Sequence, residues 1–376
     1  MIKTNEFYES LIKNGVEFYT GVPDSLLKDI CSYISDSSPP EKHVISANEG
    51  GAIGLAIGYH LATKKIPLVY MQNSGLGNTI NPLLSLADPK VYGIPMILLI
   101  GWRGELGVKD EPQHVKQGEV TEALLKTLSI PYIIISSKTS NVNQVISNVV
   151  KEAETIDTPF AILVRKNTFE PYRSSNKILS KFELNREEAI IKSADLLSDT
   201  DIIISTTGKA SRELFEYRAK NKQGHQRDFL TVGGMGHASQ IALGIAIAQP
   251  ERIIYCFDGD GAALMHTGSL GIIGDINPEN LKHIIFNNGA HDSVGGQPTI
   301  GFNIDFGNLA KSLNYKKSFK IDKLNEFDDT FKKFQKQKGP CLLEIRVAKG
   351  ARKDLGRPTI SPKENKKNFI RFLNNV

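Results

Sequence analysis

Residues 255–288 read YCFDGDGAALMHTGSLGIIGDINPENLKHIIFNN, and the fold is decided here. Tyr255–Phe257 has the unbroken apolar character of a strand buried on both faces, and it runs into Gly259-Asp260-Gly261. After 25 intervening residues a second apolar run, Ile284–Phe286, ends in Asn287-Asn288. A carboxylate and a carboxamide at the ends of two neighbouring strands supply the oxygen ligands that a hard cation on a diphosphate requires. The glycines let the main chain approach phosphate oxygens. Asp-Gly alone is ordinary turn chemistry; the pair at this spacing, on two strand ends, carries the signal.

Working outward, helix-like and strand-like segments alternate on both sides of the stretch, the pattern of parallel sheets covered by helices. In the first half, strands are expected at Glu17–Thr20, His43–Ile45, Leu68–Met71, Met96–Ile100, Tyr132–Ile135 and Phe160–Val164. Ser25 reads as the cap of a helix running to about Ile34. Periodicity is lost from about Arg173 to Arg186, which reads as a linker. A second series follows, with strands at Ile202–Ser205, Phe229–Val232, Arg252–Phe257, Ile284–Phe286 and Cys341–Val347. The halves echo each other at a shift of about 186 positions. Ala52–Gly58 answers Ile241–Ala246, and Leu68–Met71 with Asn73-Ser74-Gly75 answers Ile253–Phe257 with Asp258–Gly261. The expected fold class is therefore α/β, with two related domains, each a parallel sheet with helices on both faces.

The 376 residues suffice for two domains with separate cores, and 40% hydrophobic with 23% charged residues is ordinary for a globular protein. The longest apolar run, Ile94–Ile100, is strand-sized, and MIKTNEFYESLIKNG lacks the apolar centre of a signal peptide. A cytoplasmic protein without a membrane partner is the expectation. Cys31, Cys256 and Cys341 show no C-x-x-C spacing and read as small core residues. The net charge of +5 is modest, and much of the positive charge falls in residues 349–376. That basic tail has no aromatic interleaving, so a solvated surface or an anion site is expected there and no nucleic acid partner.

GDG-x25-NN resembles the metal and diphosphate motif of thiamin diphosphate enzymes. The resemblance implies thiamin diphosphate and Mg2+ as cofactors, a pyrimidine-binding domain at 1–172, a linker at 173–186, a diphosphate-binding domain at 187–348 and the basic tail at 349–376. It implies Asp260, Asn288 and the Ala290 carbonyl as metal ligands, with Thr207, Gly208, Gly259 and Gly261 at the cofactor. Glu49, in Ser46-Ala47-Asn48-Glu49-Gly50-Gly51, stands where the family keeps the glutamate that activates the pyrimidine ring; taken by itself it also suits a first-turn helix acid. Gly233 and Met235, in Gly233-Gly234-Met235-Gly236, match the carbonyl and the bulky residue that hold the bent cofactor; the bland reading is a glycine turn with a core Met. The resemblance also implies a homodimer or higher homo-oligomer with sites at the subunit interface.

Within that family the chain is similar to phosphonopyruvate decarboxylases in particular. The residues that carry this are Gly101–Glu105 with Lys109–His114, Thr206–Lys209 with Ser211–Phe215, Asn288–Thr299 and Leu355–Thr359. Sulfopyruvate decarboxylases are near relatives, often split into two chains. A small 2-oxo acid with an anionic head group needs several fixed donors. Asp24, Arg103, His114, Lys209 and Arg212 are the substrate candidates, Lys209 and Arg212 equally suiting the cofactor diphosphate, and the four basic residues lie in segments that read as loops at strand ends, where such sheets bind ligands. Each basic residue taken singly also suits a surface charge. His114 and His291 are the candidate proton-handling groups. His266 and His291 flank the metal motif and equally suit structural imidazoles.

Overall fold

The computed structural model of the chain describes residues 1–174 and 181–374. The chain divides into two compact units, Met1–Ile178 and Leu179–Val376. In the first, β1 (Tyr19–Gly21), β2 (His43–Ile45), β3 (Leu68–Gln72), β4 (Ile97–Gly101), β5 (Tyr132–Ile135) and β6 (Phe160–Val164) form one sheet, ordered β2-β1-β3-β4-β6-β5. In the second, β7 (Ile202–Ser205), β8 (Asp228–Leu230), β9 (Ile254–Gly259), β10 (Leu281–Asn287), β11 (Lys317–Ile321) and β12 (Cys341–Arg346) are ordered β11-β12-β10-β9-β7-β8. Every neighbouring pair is parallel. Counted within its own unit, each sheet has the same order: second, first, third, fourth, sixth, fifth. The echoed segments fall at matching places, on the third strands β3 and β9 and on the helices Glu49–Thr63 and Ala238–Ala248 that precede them.

Parallel sheets carry helices on both faces, so both parities of each strand must be apolar. In the first unit Leu68, Tyr70, Ile97, Leu99 and Ile162 pack into one core. Their chain neighbours Val69, Met71, Leu98, Ile100 and Leu163 pack into another. The second unit repeats this with Tyr255, Phe257, Ile284 and Phe286 in one core and Ile254, Cys256 and Ile285 in the other. Full burial of each large side chain contributes about 1.5–3 kcal/mol. All three cysteines are buried and unpaired.

The structure departs from the sequence reading where burial does not follow apolarity. The helix Pro112–Thr127 is not announced by its pattern because its buried face is Gly118, Thr121 and Leu125. Gly118 is required there, since a Cβ would stand 1.7 Å from the Gly104 carbonyl oxygen. Strand β11 escapes notice because it is an edge strand with mostly half-exposed, lysine-bearing positions. The helix expected to be capped by Ser25 begins at Lys28, and it is Asp24 that takes the free amides, accepting from Leu26 N at 2.9 Å and Leu27 N at 3.2 Å.

Of the segment read as a linker, residues 175–180 lie outside the described residues. Its end is ordered: Asn185 and Glu188 form a reciprocal capping box at the start of the helix Arg186–Asp195. The basic segment 349–376 contains a helix, Pro362–Asn374, whose Phe369 is buried against the second unit's core. Asn365 on the same face donates to the Asp228 carbonyl at 2.9 Å and accepts from Leu230 N at 3.2 Å, covering the edge strand β8. Lys363, Lys366, Lys367 and Arg371 remain exposed. Among the described residues no helix is long and apolar enough to cross a membrane.

Candidate active site

In the second unit β9 and β10 are adjacent, and their register pairs Gly259 with Phe286. The two loops of the motif therefore start side by side. Asn288 N donates to Asp260 Oδ1 at 3.4 Å, and the Thr299 hydroxyl donates to Oδ2. Asp260 is only 2% exposed, and among the described residues no basic side chain forms an ion pair with it. Burial pushes its carboxyl up to about 6, against the pull of Thr299 and the main-chain amides. A buried carboxyl in this condition lacks a compensating positive charge, which a divalent cation supplies. At Gly259 a side chain would meet nothing within 4 Å, which leaves the main chain open to a close-lying ligand. The residues thus fit a cation held on a diphosphate.

The two asparagines differ in surroundings. Asn287 Nδ2 donates to Gly301 O at 2.8 Å and to Glu344 Oε1 at 2.7 Å, while its Oδ1 accepts from Gly289 N at 3.1 Å. This amide ties strands and loops together. Asn288 Nδ2 donates to Asp292 Oδ2 at 2.7 Å, and its Oδ1 accepts from Ala290 N at 3.0 Å. Ala290 is buried and bridges to Pro298. Asp258, two residues before Asp260, accepts from Gly259 N at 2.9 Å with one oxygen and faces His283 Nε2 at 3.3 Å with the other. His283 Nδ1 in turn lies 3.2 Å from the Tyr315 hydroxyl.

The turn after β7 approaches the same loop. Gly208, at φ +95°, would place a Cβ 3.6 Å from Ser293. Thr207, Gly208 and Lys209 are half-buried, and among the described residues the Thr206 hydroxyl is buried without a hydrogen-bond partner. Lys209 and Arg212 are not in a loop; they occupy the first turn of the helix Lys209–Lys220. Burial lowers the Lys209 pKa, with Asp292 opposing. Arg212 is directed at the C-terminal segment, donating to Gly356 O at 2.6 Å and to Leu355 O. Gly233 and Met235 are half-buried in a turn that His237 Nδ1 closes by donating to the Gly234 and Met235 carbonyls at 3.1 and 3.2 Å. A Cβ on Gly261 would stand 3.0 Å from the His291 ring, whose pKa burial lowers to about 4.

The first unit holds a separate group. Glu49 opens the helix Glu49–Thr63 behind the N-cap Asn48, and it is 6% exposed. Its Oε2 accepts from Asn78 Nδ2 at 2.7 Å, and Oε1 lies where a Cβ on Gly75 would come within 2.5 Å. Glycine at 75 is therefore a condition of the glutamate's position. At the C-terminal ends of β1, β3 and β4, Arg103 donates through Nη1 to Ser25 Oγ at 2.7 Å and grips Asp110 with Nε at 2.8 Å and Nη2. Asp24 beside it is fully buried and accepts from Gln72 Nε2 at 2.9 Å; burial raises its pKa, opposed by main-chain amides and Arg103. His114, expected in a loop, lies in the first turn of the helix Pro112–Thr127. Burial and then Arg103 lower its pKa to about 4, and its Nδ1 is buried without a hydrogen-bond partner among the described residues. Asp24, Arg103 and His114 are thus brought together.

Sequence reasoning did not single out Asp110, Asn78, Arg186, Glu213 or Asp292. Arg186 was hidden at the edge of the apparent linker. Asp110 and Asp292 lie inside quoted motifs, but only their partners, distant in the chain, give them a role.

Two parallel-sheet units of one strand order, the second presenting a buried carboxylate with no ion-pair partner among the described residues beside an open glycine, fit the class of proteins that bind a diphosphate cofactor. Residues 4–125 match the N-terminal TPP binding domain of thiamine pyrophosphate enzymes, and residues 206–345 match the C-terminal TPP binding domain. The chain belongs to the thiamine pyrophosphate enzyme family, and it carries the domains that bind thiamin diphosphate. It is 31% identical over 388 residues to a phosphonopyruvate decarboxylase of Streptomyces viridochromogenes, covering 99% of this chain and 95% of that protein. A phosphonopyruvate decarboxylase of Streptomyces hygroscopicus is 31% identical over 389 residues, with 99% and 94% covered. A sulfopyruvate decarboxylase of Methanosarcina acetivorans is 27% identical over 389 residues, with 97% and 96% covered.

Proposed function

We propose that this protein is a thiamin diphosphate- and Mg2+-dependent carbon-carbon lyase that converts 3-phosphonopyruvate to phosphonoacetaldehyde and CO2, a step of phosphonate biosynthesis. The observation that carries this reading is the likeness along 99% of the chain to two proteins of that activity. The Arg103 cluster supports it, because a guanidinium held in place suits a phosphonate.

Thiamin diphosphate, when bound, supplies a sink for the electrons released as CO2 leaves. Asp260, Asn288 and the Ala290 carbonyl would hold Mg2+, with Thr207, Gly208, Gly259 and Gly261 against the diphosphate. Gly233 and Met235 would fix the shape of the cofactor, and Glu49 would hold a proton at its carboxyl for the pyrimidine ring. Asp24, Arg103, His114 and Lys209 would line the substrate, with Asp110 and Ser25 setting the position of Arg103 and with Arg212 nearer the C-terminal segment. His114 and His291, with pKa values of about 4, are neutral at pH 7 and act there as hydrogen-bonding groups that relay a proton, without carrying a standing charge.

A homodimer or higher homo-oligomer with sites at the subunit interface is part of the proposal. Helices Glu49–Thr63, Ala238–Ala248 and Thr267–Ile276 are apolar nearly all round, yet Leu61 is 67%, Ile247 56% and Ile272 53% exposed. Helices of that composition are ordinarily covered, and a second copy is the occupant we assign.

A second reading, sulfopyruvate as substrate, is favoured by the full-length likeness to the Methanosarcina protein. Steady-state kinetics on phosphonopyruvate, sulfopyruvate and pyruvate decide between them. The highest kcat/KM is expected with phosphonopyruvate; a preference for pyruvate would refute both.

A further inference from the structure

Asp292 stands four residues beyond Asn288 in the short turn Asp292–Val294. One of its oxygens, Oδ2, gathers three donors: Asn288 Nδ2 at 2.7 Å, Gly350 N at 2.9 Å and Arg186 Nη1 at 3.1 Å. Arg186 is itself only 7% exposed, and its Nε and Nη2 pair with the two oxygens of Glu213 at 2.9 and 2.8 Å. The guanidinium is therefore held as a planar fork, with one nitrogen left for Asp292.

This arrangement decides the orientation of the Asn288 amide. A carboxylate only accepts and a main-chain N–H only donates. With Asp292 Oδ2 on one side of the amide and Ala290 N on the other, Nδ2 must face Asp292 and Oδ1 must face the Ala290 side. The reverse orientation would set the carboxylate against a carbonyl oxygen and the N–H against an NH2 group. Oδ1 keeps a second lone pair after accepting from Ala290 N. A residue at 292 with no side-chain acceptor would remove the discrimination between the two orientations, whereas a neutral amide would still turn its oxygen to the Arg186 and Gly350 donors.

We propose that Asp292 is a positioning residue that fixes the Asn288 amide with Oδ1 toward the cation, and that Arg186, braced by Glu213, holds Asp292 in place. The proposal rests on the metal site assigned above and is independent of the substrate. Groups that orient metal ligands in this way change metal affinity by about 10- to 100-fold when removed.

The test uses full-length protein with saturating thiamin diphosphate, and Mn2+ as the probe, its free concentration followed by electron paramagnetic resonance. Asp292→Ala, which removes the acceptor, is expected to weaken Mn2+ binding by about 10- to 100-fold. In an Asn288→Ala background the same change is expected to add less than about 2-fold, because a residue acting through Asn288 has nothing left to orient. Losses that multiply in the double variant would show that Asp292 supports the fold alone, and binding within about 2-fold of the parent would show that it does not act on the metal; either overturns the proposal. Should Asp292→Ala not fold, Asp292→Glu keeps the charge facing Arg186 while displacing the 2.7 Å contact, with the same weakening expected and the same refutation. A parent protein that binds the cofactor equally well without any cation overturns the metal site together with this proposal, whereas a cation-dependent parent with an indifferent Asp292→Ala overturns this proposal alone.

Discussion

Replacing Asp260 with asparagine is expected to make the cofactor-free protein more stable while removing its response to cofactor and metal. The carboxyl is 2% exposed and its folded-state pKa is raised from 3.8 to about 6, chiefly by burial. Each pKa unit corresponds to about 1.4 kcal/mol, so the ionised group disfavours folding by about 3 kcal/mol at pH 7.5. Because the folded value lies above the unfolded one, Asp260 contributes stability fully only below about pH 4. That contribution is lost as pH rises through about 6. Asparagine keeps one acceptor for Thr299 but leaves the long 3.4 Å contact from Asn288 N without one, at a cost of about 1 kcal/mol. The expected net gain is about 2 kcal/mol at pH 7.5 and near zero at pH 4.5. Urea unfolding followed by circular dichroism, in chelator at both pH values, measures it. Thiamin diphosphate with Mg2+ at about 100 times its Kd should stabilise the parent by about 2.7 kcal/mol and the variant much less. A variant less stable than the parent at pH 7.5, or a difference that does not change with pH, would refute the reasoning.

Three further outcomes are expected. Glu49→Gln should retain thiamin diphosphate affinity within about threefold and lose most turnover, since the amide fills the same space beside Gly75 but cannot hold the acidic proton; turnover equal to the parent's would remove the assigned role. Because burial and Arg103 keep the His114 pKa at about 4, His114 should not titrate between pH 5.5 and 8, and the kcat/KM profiles of the parent and His114→Gln should run parallel there. An inflection near pH 6.5 present in the parent and absent from the variant would contradict that environment. Phe369→Ala should destabilise the second unit by about 3–5 kcal/mol in urea, as for a buried aromatic; a loss under about 1 kcal/mol would mean that the C-terminal helix does not pack.

Much of the fold was legible because parallel strands are apolar on both faces: Tyr132–Ile135, Phe160–Val164 and Ile202–Ser205 fall on the residues expected. Boundaries slipped where polar atoms set them. Asp24, and not Ser25, accepts the first amides before the helix at Lys28, a choice made by side-chain direction. Pro112–Thr127 was missed because close approach of the main chain at Gly118 replaces an apolar stripe. In the candidate site, the motif spacing singled out Asp260 and Asn288, and the structure sets these two residues at the ends of adjacent strands. The ion pairs around them were hidden, since Arg186 and Glu213 are 27 positions apart and Arg186 and Asp292 are 106 apart. No local pattern records such a partnership; only the folded chain does.

The shared strand order has a consequence for how such a protein is encoded. Among the described residues no strand of one unit pairs with a strand of the other, and each sheet has its own pair of cores. A message interrupted between Ile178 and Leu179 would therefore separate no pair of hydrogen-bonded strands, and two shorter polypeptides made from separate genes would each inherit everything needed to close a sheet.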